Sequence, residues 1–355
     1  MAEPPDFLRR LLDAPGPSGF ETPAARIWRE EAGTVAHDVT TDVTGNTVAR
    51  LNPGGGPTVM LAGHVDEIGL QITYVDEDGF AYVEQIGGWD PQVLVGQRVR
   101  ILGRHGEVPG VIGKKPIHLL KPDDRSKASK VEELWVDLGA EDRDAVTALG
   151  VRPGDPMVLD AGLVALAGDR IASRAIDNRV GAYVVLEALR LLADDPPAAE
   201  PMAVATTQEE IGFSGGGARS SAFHLEPQVA LVVDVTFSTD VPGVSKKELG
   251  DHRIGGGPVL TRGSAAHPMV VERLEALAEA ENIPFTVQAQ PRSTRTDADS
   301  IFLTRGGVPT GLVSVPNRYM HSPNEVVSVE DLHRTARLLA AFVRSLETDA
   351  DFVPR

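Results

Sequence analysis

The chain contains no cysteine, and it has no long run of apolar residues. Without cysteine, disulfides, thiolate zinc fingers and iron–sulfur clusters are all excluded. Any bound metal must therefore be held by imidazole, carboxylate, carbonyl or water. Nowhere do 18 apolar residues follow one another, and the N-terminus shows no basic stretch followed by a long apolar one. These absences predict a cytoplasmic protein that does not enter a membrane.

Positive charge is also scarce. The 34 lysine and arginine residues are outnumbered by 51 aspartate and glutamate residues, which gives a formal net charge of −17. Binding to a phosphate backbone depends on clustered basic residues, so the charge balance argues against a nucleic-acid partner. With 355 residues, of which 42% are hydrophobic, the chain is long enough for a sizeable core and for two domains.

The pattern of apolar residues changes twice along the chain. Residues 69–163 read as short strands punctuated by glycine and proline, whereas helical and strand patterns alternate after residue 164. Alternating elements favour a mainly parallel sheet covered on both faces. We therefore expect an α/β fold: a three-layer α/β/α catalytic domain (residues 1–68 and 164–355) with a small β-rich domain, a barrel or PDZ-like unit, inserted between its two parts.

Several predicted strands end close to side chains that can bind metal. They are His64 after PTVMLAG, Glu209 and Glu210 after MAVATTQ, Asp234 after VALVV, and His321 after GLVSVPNRYM. In open α/β sheets, ligands bind beyond the carboxyl ends of the strands, where distant segments converge. Two histidines and several carboxylates at that edge predict a metal centre.

Two acidic residues near these positions allow more than one interpretation. Asp66 lies two residues after His64, where its carboxylate could orient the imidazole, although H-x-D triplets also occur in solvated loops. Asp177 lies where a helical pattern begins, so it is either an N-cap or a carboxylate that bridges two cations.

The adjacent acids Glu209 and Glu210 suit two different tasks. Adjacent side chains diverge, so one can bind metal while the other moves protons; the alternative is an exposed acidic turn. Two imidazoles and at least three carboxylates suffice for two divalent cations, and two such cations point to hydrolysis.

Five motifs then carry a family resemblance. GHVDEIG, SRAIDNRVG, TTQEEIG, VVDVT and RYMHSPNEVV, in this order and over essentially the whole chain, resemble the M42 family of dinuclear metallo-aminopeptidases, the tetrahedral-aminopeptidase group. The inserted segment with GVIGKKPIHLL is similar to the dimerisation domain of that family.

The resemblance implies a role for each candidate residue. His64, Asp177 and Asp234 would hold one cation, and Asp177, Glu210 and His321 the other. Glu209 would be the general base for a bridging hydroxide, and Asp66 would orient His64. Zinc is the expected metal, with cobalt and manganese as alternatives.

The resemblance also implies peptide substrates with a free N-terminus, and dimers that assemble into a hollow dodecamer. Three alternatives stay open: a glycoside hydrolase of endoglucanase type that uses paired carboxylates, an amidohydrolase or deacylase with a non-peptide substrate, and a non-catalytic peptide-binding shell. The preferred N-terminal residue does not follow from the sequence. Among the remaining histidines, His252 is the one we expect to line the substrate cleft.

Overall fold

The structure, a computed structural model, describes residues 3–212 and 215–355. The helices are α1 (Asp6–Asp13), α2 (Thr22–Ala32), α3 (Pro91–Leu94), α4 (Arg143–Ala148), α5 (Ile176–Ala193), α6 (Gly216–Leu225), α7 (Lys246–Leu249), α8 (Pro268–Ala280), α9 (Asp297–Phe302) and α10 (Val329–Arg344). In these two ranges no helix is long and apolar enough to cross a membrane.

The strands belong to three sheets. They are β1 (Asp38–Thr41), β2 (Thr47–Arg50), β3 (Thr58–His64), β4 (Gly69–Val75), β5 (Phe80–Ile86), β6 (Arg98–Gly103), β7 (Gly106–Lys114), β8 (Leu134–Asp137), β9 (Pro156–Leu159), β10 (Val164–Ala165), β11 (Arg170–Ser173), β12 (Glu200–Thr206), β13 (Val229–Phe237), β14 (Val259–Arg262), β15 (Thr286–Ala289), β16 (Thr310–Asn317) and β17 (Glu325–Ser328).

The central sheet has eight strands in the order β1-β2-β12-β3-β13-β16-β14-β15. Its middle strands β12, β3, β13 and β16 pair in parallel, whereas β1, β2 and β14 add antiparallel pairings towards the edges. The middle strands are buried along nearly their whole length, as expected for parallel strands covered on both faces. The predicted α/β fold class is confirmed.

Helix α5 packs on one face of the sheet and is buried along most of its length. It contacts β3, β12, β13 and α10, so apolar neighbours surround it, and its sequence accordingly shows little amphipathic pattern. The indole of Trp28 on α2 donates a hydrogen bond of 2.7 Å to the carbonyl of Ala182, which fixes the second helical layer to α5.

The β-rich segment between β3 and β10 forms a closed barrel with the strand order β4-β5-β8-β7-β6-β9. The barrel has its own apolar core, which includes Leu70, Ile72, Val99 and Val136. Its strands lie between Gly69 and Leu159, inside the range predicted for the insert. The chain leaves the central sheet after β3 and re-enters the catalytic part at β10 and β11.

A close contact between two glycines sets the distance between β3 and α5. A Cβ atom on Gly63, the residue before His64, would lie 2.5 Å from the backbone carbonyl carbon of Gly181 on α5. Real Cβ atoms do not approach backbone this closely, so only glycine permits this spacing. The contact brings the start of α5 next to the end of β3.

We expect Gly63→Ala to destabilise the protein by about 1–3 kcal/mol, because the added methyl group must push two backbone segments apart. The urea unfolding midpoint measures the change. Gly306→Ala is the matched control, since a Cβ on Gly306 meets no atom within 4 Å. Equal midpoints for the two variants would contradict the argument.

Candidate metal centre

His64 and Asp234 lie on neighbouring parallel strands, close to the carboxyl edge of the sheet. His64 is the last residue of β3. Strand β13 pairs with β3 only as far as Val232 and then continues alongside β16 to Phe237. Strand β13 therefore continues for three residues beyond Asp234. The carboxylate of Asp234 still belongs to the site, because β3 pairs with β13 only as far as Val232 and no longer lies beside Asp234.

Asp177 lies between the two histidines. It is the second residue of α5, with its Oδ1 3.3 Å from Nε2 of His64 and its Oδ2 3.5 Å from Nε2 of His321. Ala175, two residues before Asp177, is the helix N-cap, and Asp177 has a non-helical backbone conformation. Of the two interpretations of Asp177, the geometry therefore favours a carboxylate shared between two groups of donors over an N-cap.

Both imidazoles present Nε2 to the centre of the site, and their Nδ1 atoms face away from it towards other oxygen atoms. Nδ1 of His64 lies 3.3 Å from Oδ1 of Asp66, and Nδ1 of His321 lies 2.7 Å from the carbonyl oxygen of Gly88. A carboxylate or carbonyl that accepts the Nδ1 proton leaves Nε2 free to bind a cation. Gly88 belongs to the barrel segment, so the insert contributes to the site.

The adjacent glutamates face different histidines. Oε2 of Glu210 lies 3.4 Å from Nε2 of His321, and its buried Oε1 has no hydrogen-bond partner among the described residues. Oε2 of Glu209 lies 3.7 Å from Nε2 of His64. The backbone places one acid on each side of the site, in agreement with the expected divergence.

The described residues contain two groups of donors that could each hold a metal ion. His64, Asp177 and Asp234 form one, and Asp177, Glu210 and His321 form the other; within each group the donor atoms lie within 4.8 Å of one another. Nitrogen and oxygen donors at this spacing, together with the unpaired oxygen of Glu210, fit divalent cations.

The carboxylates of the site repel one another. Burial and the nearby Asp177 together raise the pKa of Glu210 to about 7, although His321 opposes the shift. Burial also raises the pKa of Asp234 and of Glu209 well above their usual range, although His64 opposes both shifts. Cations would relieve this repulsion, because they favour the ionised form of each acid.

Attraction between the histidines and the carboxylates shifts other pKa values in the site. Burial lowers the pKa of His321, but its hydrogen bonds to Asp177 and Glu210 outweigh burial and raise the pKa to about 11. Burial raises the pKa of Asp177, but hydrogen bonds from His321 and His64 more than compensate and hold it below its usual range. Without metal, protons therefore take the places that cations would fill.

Glu325 holds two parts of the site, and no local sequence pattern assigns it this role. Its Oε2 accepts a hydrogen bond of 2.8 Å from the backbone N–H of Asp177, and its Oε1 accepts one of 2.8 Å from the backbone N–H of His321. Glu325 is the first residue of β17 and is buried. The only signal in the sequence is an acid immediately before two valines.

Glu67 belongs to a buried ion cluster next to the site. It pairs with Arg174 and with Arg179, the latter at 2.8 Å, and Arg179 also donates to the carbonyl groups of Leu11 and Ala14. A buried carboxylate is tolerated when it is paired and hydrogen-bonded in this way. The cluster ties the N-terminal segment to the site.

His252 does not match its expected position. It is buried, and both ring nitrogens are hydrogen-bonded at 2.8 Å, Nδ1 to the hydroxyl of Thr286 and Nε2 to the carbonyl of Leu249. It therefore holds the loop after β13 in place and is not free to contact a substrate.

Comparison with known proteins agrees with this geometry. The family model described as M42 glutamyl aminopeptidase matches residues 45–338. The chain belongs to this family. Its members are metal-dependent aminopeptidases, which makes this chain a peptide hydrolase and confirms the resemblance carried by the five motifs.

Three similar proteins illustrate the family. The lysyl aminopeptidase of Pyrococcus furiosus is 33% identical over 98% of this chain and 99% of its own length. The crystal structure of a TET aminopeptidase from Thaumarchaeota archaeon SCGC AB-539-E09 superposes with a TM-score of 0.92 at 31% identity, covering 96% of each chain. The TET1 peptidase of Pyrococcus horikoshii, which can assemble into a tetrahedron or a large octahedral shell, gives 0.85 at 30% identity over 96% of this chain and 99% of its own.

We expect cation affinity to rise with pH, because protons and cations compete for the same atoms. With pKa values of about 11 for His321 and about 7 for Glu210, both groups hold protons at neutral pH in the metal-free protein, His321 almost fully and Glu210 partly. Binding should therefore release protons. Calorimetric titration of chelator-stripped protein with zinc, in buffers of different ionisation enthalpy, measures that release.

A pair of histidine variants tests which residues take part. His321→Ala should lose one of two bound cations, whereas His333→Ala, at an exposed position on α10, should lose none. An observed binding enthalpy that does not depend on the buffer would contradict the competition between protons and cations.

Proposed function

We propose that this protein is a dinuclear metallo-aminopeptidase that removes residues from the free N-termini of peptides, with Glu209 as its general base. The observation that supports the proposal best is the pair of donor groups that share Asp177, with Glu209 beside them. Family membership supplies the reaction class.

The cations would be held by the two donor groups described above. Zinc is the first candidate, with cobalt and manganese as alternatives, because imidazole and carboxylate donors without thiolate suit all three. When bound, two such cations lower the pKa of a water molecule and polarise the scissile carbonyl. Asp66, whose Oδ1 lies 3.3 Å from Nδ1 of His64, would orient this imidazole for its part.

Glu209 is suited to proton transfer. Its carboxylate lies near His64, its oxygens are absent from both donor groups, and burial raises its pKa. A general base works best when its pKa is close to the working pH. Glu209 would take a proton from the attacking water and pass it to the amine that leaves when the peptide bond breaks.

The charge of the site favours a substrate with a free N-terminus. The buried carboxylates of Asp66, Asp297 and Glu325 add to those of the two donor groups. A protonated α-amino group is attracted to such an acidic cleft, whereas an acylated N-terminus is not. The family description names glutamyl and the Pyrococcus furiosus relative lysyl substrates, so we assign no side-chain preference.

Hydrolysis of a panel of aminoacyl-p-nitroanilides tests the activity. Protein stripped with a chelator and reloaded with zinc, cobalt or manganese should regain hydrolysis, and N-acetylated substrates should be inert. Cleavage of a glucan that survives chelation would favour the glycoside hydrolase, and release only from acylated substrates would favour the deacylase. No metal-dependent release from any substrate would rule out the aminopeptidase.

Glu209→Gln should lower kcat by about 10²–10⁴-fold while two cations per chain are retained, because the amide cannot accept the proton. Stopped assays on reloaded protein give the rate, and elemental analysis gives the metal content. Glu279→Gln, at an exposed position on α8, is the matched control. Near-normal turnover in Glu209→Gln would show that another group is the base.

We further propose that the chain forms a homo-oligomer in which dimers assemble into a dodecamer, with the barrel as the dimer contact. Exposed apolar side chains on the barrel segment support this role; they include Val111, Ile117 and Leu119, of which Leu119 is 67% exposed. Apolar groups of this kind are common at interfaces between subunits.

Leu119→Asp should reduce the molar mass in solution, because a charge cannot be buried at an apolar contact without a partner. Light scattering after size-exclusion chromatography measures the mass. Leu303→Asp is the control, since Leu303 is 73% exposed and lies on the sheet domain. A wild-type monomer under all conditions would contradict the assembly.

A further inference from the structure

The turn that carries Glu209 and Glu210 has an uncommon backbone conformation. Gln208, the residue before Glu209, has a φ of 59°. Few residues other than glycine adopt this left-handed region, which costs roughly 1–2 kcal/mol. Such a conformation persists only when the surrounding structure holds it. The contacts of this turn therefore matter for the position of Glu209.

Side chains from the N-terminal part of the chain bind the first two N–H groups of the turn. The N–H of Thr207 donates to Oδ1 of Asn46 at 3.0 Å, and the N–H of Gln208 donates to Oε1 of Glu21 at 3.2 Å. Both acceptors are buried. Both acceptors lie far from the turn in sequence, 161 and 187 residues away.

Asp66 binds the next two N–H groups. Its Oδ1 accepts from Glu209 at 3.2 Å, and its Oδ2 accepts from Glu210 at 3.1 Å. Asp66 also faces His64, so its effect on the turn cannot be separated from its effect on the imidazole. Together, four successive N–H groups are held by side chains.

Among these three acceptor residues, Glu21 is the one whose effect on the turn can be tested most directly. Its Oε1 accepts from the N–H of Gly19 at 2.6 Å as well as from Gln208, and it lies in neither donor group. Asn46, by contrast, donates to Asp42 and to Gly217, so replacing it would disturb the β1–β2 hairpin.

We propose that Glu21 is a positioning residue for the general base: by accepting the N–H of Gln208, it holds the left-handed turn that sets the place of the Glu209 carboxylate. This role rests on the proposed function of Glu209. Burial and the nearby Asp66 raise the pKa of Glu21 to about 7. A carboxyl group retains an acceptor oxygen in both protonation states, so Oε1 can accept the N–H of Gln208 whether or not the other oxygen carries a proton.

Two variants separate the acceptor from the charge. Glu21→Ala removes the acceptor and should lower kcat by about 10–100-fold with little change in KM, because a base displaced by about 1 Å loses much of its effect. Glu21→Gln keeps an oxygen for the same hydrogen bond, and its kcat should stay within about threefold of wild type. Both variants should bind two cations per chain.

Hydrogen exchange gives a readout that does not depend on activity. The amides of residues 207–210 should exchange faster in Glu21→Ala than in wild type, and Glu21→Gln should restore the slow exchange. Glu30→Ala is the matched control, because Glu30 is an exposed acid on α2, the helix that begins directly after Glu21. If Glu21→Ala does not fold, Glu21→Asp, whose shorter side chain cannot span both donors, should show the same losses.

Each outcome decides the proposal. Unchanged kcat and exchange in Glu21→Ala, or equal losses in Glu21→Ala and Glu21→Gln, would overturn it. If wild-type protein shows no metal-dependent peptide hydrolysis, the proposed function fails, and the exchange data still decide whether Glu21 holds the turn.

Discussion

The carboxylate of Asp177, with one imidazole facing each of its oxygens, is the interaction around which the site is built. One histidine comes from the end of β3 and the other from the segment after β16, so this carboxylate joins parts of the chain that are far apart in sequence. Everything that fixes its position therefore acts on both donor groups at once. The close approach of α5 to β3 at Gly63 and the hydrogen bond from the Asp177 N–H to Glu325 are two such constraints.

The N-terminal segment contributes to the site without supplying a metal donor. Through Glu67, Arg174 and Arg179 it is tied to the elements that flank the barrel, and through Glu21 it reaches the turn before Glu209. Buried charges of both signs carry these links, and each is paired or hydrogen-bonded. The N-terminal segment is thus bonded to the edge of the sheet that carries the site, although it contributes none of the candidate donors.

The sequence predicted the sheet, the inserted β-rich unit and the convergence of His64, Glu210, Asp234 and His321, because these depend on periodicity and on strand ends, which are local properties. For Asp177 the local pattern leaves an N-cap and a shared carboxylate open, and the family resemblance implies the second. It did not predict Glu325 or the role of Glu21. Their importance lies in backbone hydrogen bonds to residues 148 and 187 positions away, which leave no local pattern. The error on His252 has the same origin, since a glycine-rich segment is compatible with either a cleft or a packed loop. The left-handed backbone conformation of Gln208 and His321 also could not be predicted from the sequence, since neither residue type requires it.

The carbonyl of Gly88, which accepts from Nδ1 of His321, is an atom of the inserted segment that reaches into the catalytic part of the chain. The insert is also anchored at its base, where Glu67 pairs with Arg174 on opposite sides of the excursion. The barrel is therefore held at its base by this ion pair, and it contacts the site through the carbonyl of Gly88. A displacement of the barrel relative to the sheet would lengthen the contact between the Gly88 carbonyl and Nδ1 of His321, and so link the packing of the inserted β-structure to the orientation of a single imidazole ring.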